Sequence, residues 1–136
     1  MARTGFESLR VYQLAEEIGD HVWQLVLRWD CFARDTVGKQ MVRAADSIGA
    51  NIAEGAGRGS FQDNRRFVRI ARGSHHELRH WLRRAYRRCL LSEEDINALK
   101  PMIDELSPKL NAFLRSIGKT HHGPLATDNG QRTTDH

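Results

Sequence analysis

The chain has 136 residues, 40% of them hydrophobic and 28% charged, which is enough apolar material for one core and too much for a disordered polyelectrolyte. Its formal charge of +4 and pI near 9.5 favour anionic partners, whether nucleic acid, membrane surfaces or acidic proteins. Two cysteines without a CxxC exclude a disulfide framework, and an N-terminus lacking an apolar h-region, with no apolar run near membrane-spanning length, leads us to expect a cytoplasmic protein.

Four helices and no strand are predicted. The first runs from about Ser8 to Trp29, because Val11, Ala15, Ile18, Val22, Leu25 and Trp29 recur at alternating spacings of four and three. A break at Asp30–Ala33 precedes the second, which begins before Gly38 and continues to about Glu54 with Met41, Ala45, Ile48 and Ile52 inward. The segment GAGRGS (55–60) is the clearest turn, and Ser60 is a candidate N-cap for a third helix from Phe61 to Leu90. Its inner seam reads Phe67, Ala71, Ser74, Leu78, Trp81 and Ala85. Ser92 with Asp95 resembles a capping box opening the fourth helix, whose heptad is Ile96, Leu99, Ile103, Leu106, Leu110, Phe113 and Ile117. Pro101 and Pro108 lie opposite that seam and predict a bend or an interruption. From residue 119 the chain is polar and aperiodic, so the domains are a bundle over 1–118 and a disordered tail over 119–136. Four amphipathic helices with short connections make an all-α, antiparallel up-and-down four-helix bundle.

Charge is distributed unevenly along this scaffold. Residues 58–88 carry ten arginines against Asp63 and Glu77, or +8 locally, so the remainder of the chain sums to −4. Arg65, Arg69, Arg72, His76, Arg79, Arg83 and Arg87 follow helical spacing and form a row ~33 Å long on one side of the third helix. Such a row suits successive phosphates, with affinity that is salt-dependent and largely blind to sequence. The plainer reading is a solvated face neutralised by acids of other helices or of a second subunit. Aromatic interleaving is weak, since Trp81 belongs to the inner seam, so backbone contact is expected rather than base stacking. Arg65, Arg69, Arg72, Arg79, Arg83 and Arg87 are the candidate nucleic-acid-binding residues.

A second row, Gln40, Arg43, Ser47, Asn51 and Glu54, lies beside small alanines on the second helix. A structural polar network that fixes register between helices or subunits accounts for it more simply than a ligand site. A third pattern, His76-Glu77-x-x-His80, matches the zinc-hydrolase motif in spacing. It lacks a third ligand at the usual spacing, and the neighbouring arginines oppose a dication. No cofactor and no metal is therefore expected, and no catalytic residue is assigned.

The run QMVRAADSIGANIAEGAGR (40–58), with FESLRVYQLA (6–15) and FVRIARGSHHEL (67–78), resembles the signature of the bacterial 23S rRNA intervening-sequence protein family over about residues 5–118. The resemblance implies four-helix bundles, often encoded within insertions in large ribosomal RNA genes. Related accessory proteins of diversity-generating retroelements assemble into pentamers that bind nucleic acid. No catalytic residues carry over. The expectation is a non-enzymatic homo-oligomer, a pentamer by resemblance, that binds RNA or DNA. A scaffold docking an acidic protein partner is the alternative.

Overall fold

The structure is a computed structural model describing residues 5–119. Four long helices carry the chain: α1 (Arg10–Leu27), α2 (Lys39–Ala56), α3 (Phe61–Arg87) and α4 (Glu93–Ser116), with no strand among the described residues. A 3-10 turn at Gly5–Ser8 precedes α1. Each helix is antiparallel to the ones beside it. Gly49 meets Tyr12 while Gly38 meets Val26 across α1 and α2. Arg10 reaches Glu105 and Arg28 reaches Asp95 across α1 and α4. His75 meets Ile103 and Arg72 meets Asn111 across α3 and α4. The expected bundle is therefore the observed one. No described helix is long and apolar enough to cross a membrane.

The seams read from the sequence line the core. Leu14, Ile18, Val22, Met41, Ile48, Ile52, Leu78, Leu106 and Leu110 are fully enclosed. Trp29, Phe67, Trp81, Ile96 and Phe113, at the ends or edges of those seams, are only half-buried. Side chains of this size contribute about 1.5–3 kcal/mol each on burial, so the core dominates stability.

The helix ends follow local chemistry. Asp30 accepts the Ala33 N–H at 2.9 Å and starts a helical turn, Cys31–Ala33, that runs through a π-helical stretch, Arg34–Gly38, into α2. Gly38 belongs there because a Cβ would lie 2.7 Å from Val26 Cγ1. At the far end of α2, a Cβ on Gly55 would come within 2.7 Å of Asn64 Oδ1 and 3.1 Å of its backbone oxygen, so glycine lets α2 and α3 converge at the turn without displacing Asn64. Ser60 caps α3 by accepting the Asp63 N–H at 3.1 Å. The capping box at Ser92 is complete, with the Asp95 N–H donating to Ser92 Oγ and the Ser92 N–H to Asp95 Oδ2. Burial pushes the Asp95 carboxyl up, but the donors from Ser92 and Arg28 hold it below its usual range.

Two expectations are corrected. First, α3 ends at Arg87 rather than Leu90. Cys89 takes a left-handed φ of 62°, and the Leu90 N–H reaches back to the Ala85 carbonyl at 2.9 Å, closing a Schellman motif. Second, of the bend or interruption expected at the prolines, the interruption does not occur, because α4 runs unbroken through Pro101 and Pro108. Both prolines are exposed, so the carbonyls they free can be hydrated while the apolar seam stays docked. Of the polar tail, only Lys119 falls within the described residues.

Candidate nucleic-acid interface

The arginines of residues 58–88 separate into groups with different surroundings. Arg58 pairs with Glu54 at 3.1 Å and lies 3.6 Å from Asp63, Arg66 lies 3.5 Å from Asp63, and both guanidinium groups sit over the Phe67 ring. These two are occupied at the α2–α3 turn.

Arg65 departs from its expected role. It is only 5% exposed and donates to the Ile117 carbonyl at the end of α4. Burial, then the charge of Arg69, lowers its pKa. The C-terminal turn of α4 passes over this position, so the residue at the head of the row is structural and unavailable to a polyanion. Arg72 is half-buried and donates to Asn111 Oδ1 at 3.1 Å, which ties α3 to α4 and orients the guanidinium at the edge of the row.

Arg69, Arg79, Arg83 and Arg87 remain exposed, and among the described residues none has a carboxylate partner. The adjoining helix carries five acids, of which Glu94 is exposed and the other four are engaged. Asp104 holds Lys100 at 2.6 Å, Glu105 holds Arg10 at 3.3 Å, Asp95 holds Arg28 at 3.0 Å, and Glu93 accepts the Tyr86 hydroxyl at 2.7 Å. From Arg69 to Arg87 the free charges span ~27 Å of helix. Arg84 is half-buried and Arg88 is exposed near the same end.

Beside this row, a groove of about 430 Å³ lies between α3 and α4. Its floor is Leu99 and Ile103, its walls include Leu82 and Ile96, and Arg79 and Arg83 stand on its rim. Tyr86, 44% exposed, and Glu93 close one end. Sequence periodicity did not single out Tyr86 or Glu93. The available signal was that Tyr86 follows Arg79 by seven residues and Arg83 by three, which keeps it near their side of the helix.

The second polar row is only partly a network. Ser47 Oγ and Ser74 Oγ lie 2.8 Å apart, and Asn51 Nδ2 donates to both the carbonyl and hydroxyl of Ser47, linking α2 to α3. Glu54 turns to Arg58 instead. Gln40 and Arg43 have no hydrogen-bond partner among the described residues and line a shallow surface depression with Glu77 of α3.

The zinc pattern does not assemble. His76, Glu77 and His80 are all exposed, and Glu77 accepts the Trp81 indole N–H at 3.1 Å. Among the described residues, no group of three or more His, Cys, Asp or Glu side chains is placed to hold a metal.

Four antiparallel helices with one uncompensated cationic flank among the described residues define a class of small all-α bundle proteins. Within that class the chain belongs to the 23S rRNA-intervening sequence protein family, whose model matches residues 7–112. A solved structure of similar fold is a protein of unknown function from the S23 ribosomal protein family of Bacteroides thetaiotaomicron. It is 23% identical with a TM-score of 0.68, and the match covers 76% of this chain and 97% of that one. Neither description names an enzymatic activity. No curated protein matches the chain.

Proposed function

We propose that this protein is a non-enzymatic, nucleic-acid-binding bundle that engages phosphates through the exposed side of α3. The observation that carries this reading is the set Arg69, Arg79, Arg83 and Arg87, exposed and without carboxylate partners among the described residues, while Asp95, Asp104 and Glu105 of α4 are engaged elsewhere. Guanidinium groups suit phosphate oxygens through bidentate contacts. Arg72, held by Asn111, borders the row without adding a free charge, and Arg65 does not take part. RNA ahead of DNA follows from the family's association with ribosomal RNA insertions. The cytoplasm is the compartment in which such a target would be met.

Self-association, as a pentamer by resemblance, would multiply a modest interaction through avidity. An apolar patch supports it: Trp23 and Leu27 are about half exposed one turn apart on α1, and Phe32 is 79% exposed at the entry to α2. A second copy of the chain is the proposed occupant of that patch. It lies on α1 and the helical turn Cys31–Ala33, so assembly through it would leave the α3 row open.

The test is binding of a fluorescein-labelled RNA by anisotropy, with absorbance at 260 nm before and after nuclease treatment of the purified protein. Replacing Arg69, Arg79 and Arg83 together with Glu should abolish retention while helicity by circular dichroism is unchanged. Retention equal to the unaltered protein refutes the surface. An acidic protein captured by the unaltered chain but not by the triple variant, with no RNA bound by either, would favour the scaffold reading instead.

A further inference from the structure

Phosphate contacts alone leave the groove between α3 and α4 unexplained. It is continuous with the arginine row, since Arg79 and Arg83 belong to both. Its volume of about 430 Å³ falls within the ordinary range for small-ligand sites, and its floor is apolar. Leu99 and Ile103 are almost wholly buried beneath it, while Leu82 and Ile96 offer half-exposed apolar surface above. Tyr86 presents an accessible ring whose hydroxyl is held by Glu93 Oε2 at 2.7 Å, which restricts the ring's orientation without covering its face. The carboxylate of Glu93 also lines the groove beside the ring, and farther along α4 Asp104 lines it paired with Lys100 at 2.6 Å. A purely phosphate-binding trough has no use for an apolar floor, a fixed aromatic ring or acids. A planar base does: the floor and ring take its faces, the Glu93 carboxylate beside the ring accepts from its amino group, and the rim arginines hold the phosphates on either side.

We propose that this groove receives an unpaired nucleobase of a single-stranded nucleic acid whose flanking phosphates lie on Arg79 and Arg83, and that it takes cytosine ahead of uracil. This rests on the nucleic-acid reading above and refines it. The base preference follows from Glu93. Cytosine offers an N4 amino group as donor, whereas uracil places an O4 acceptor at the same position, facing the Glu93 carboxylate beside Tyr86, which can only accept, while the groove's Lys100 is held by Asp104 at 2.6 Å. Base pairing would hide both the faces and the amino group, so a continuous duplex reaches the arginines but not the groove.

Anisotropy titrations of the full chain with labelled 12-nucleotide rC12, rU12 and a blunt 12-base-pair RNA duplex test the assignment, with cytidine monophosphate as competitor. The expected result is rC12 bound about tenfold more tightly than rU12. Tyr86→Ala should weaken rC12 by about tenfold and leave the duplex unchanged, and Glu93→Gln should remove the preference for cytosine, because an amide both donates and accepts. Both side chains are exposed, so both variants should fold, with circular dichroism as the check. Tyr86→Phe retains the ring and should retain most of the affinity. Equal affinity for rC12, rU12 and duplex, unmoved by Tyr86→Ala, overturns the groove while the arginine row stands. Cytidine monophosphate competing as well as rC12 overturns the single-strand source in favour of a free nucleotide. Absence of binding to all probes overturns the nucleic-acid reading itself and the groove with it.

Discussion

The salt dependence of RNA binding should report how many arginines meet phosphate. Arg69, Arg79, Arg83 and Arg87 are the free charges, spread over ~27 Å, a length that spans ~8 phosphates at ~3.4 Å each along a strand. Each neutralised phosphate on a single strand contributes ~0.7 to the slope of log affinity against log salt, so the four together give about −2.8. Raising salt from ~50 to ~200 mM should then weaken binding ~50-fold. Arg83→Gln should reduce the slope to about −2.1 and the fall to ~20-fold, and changing all four to Gln should flatten it. Anisotropy with a 12-nucleotide RNA at five salt concentrations measures this. Arg65→Ala is the internal control, because its guanidinium is buried against Ile117, and its slope should match the unaltered protein. If single Arg→Gln changes at Arg79 or Arg83 leave the slope untouched, or if Arg65→Ala lowers it as much, the assignment of exposed and buried members of the row is wrong.

Arg65→Ala should instead cost stability, about 2–4 kcal/mol from the lost packing and the orphaned Ile117 carbonyl, whereas Arg69→Ala should stay within ~0.5 kcal/mol in urea unfolding. Cys89→Gly should stabilise by about 0.5–1 kcal/mol, since Cys89 carries the left-handed φ that ends α3; an unchanged midpoint would mean the strain is relieved elsewhere. Stability should also fall on acidification below about pH 6.5. Burial holds the His75 imidazole below its ordinary pKa of 6.5, with its hydrogen bond to Ile103 and the Asp104 charge opposing and Arg79 and His76 adding to the shift. Over that window the unfolded chain binds the proton and the folded chain does not, so stability rises with pH and levels off above the unfolded value. Asp46 contributes with the opposite sign nearer its ordinary pKa of 3.8, because burial and then Asp20 raise its carboxyl. His75→Gln should therefore remove the loss between pH 7.5 and 5.5, and an identical profile in the variant would show that another group titrates.

Much of this architecture was legible in the chain itself. Apolar spacing identified the faces that pack, because a helix buries a fixed stripe whatever it packs against. Caps at Ser60 and Ser92 were readable because their partners lie three residues away. The end of α3 was less so. A glycine normally announces a left-handed stop, and here a cysteine supplies it.

The helices, their order, their inner faces and the family follow from local periodicity and from the run at residues 40–58, which need no knowledge of distant contacts. Which arginines are free is a different kind of fact. Arg65 and Arg69 share one side of α3 and one spacing rule, yet the last turn of α4 covers the first and leaves the second in water. The groove depends on how far α3 and α4 separate, and that is set by packing between residues some 20 to 30 positions apart, such as His75 against Ile103. Helical spacing reports direction around an axis, and only the neighbouring helices determine what stands in that direction.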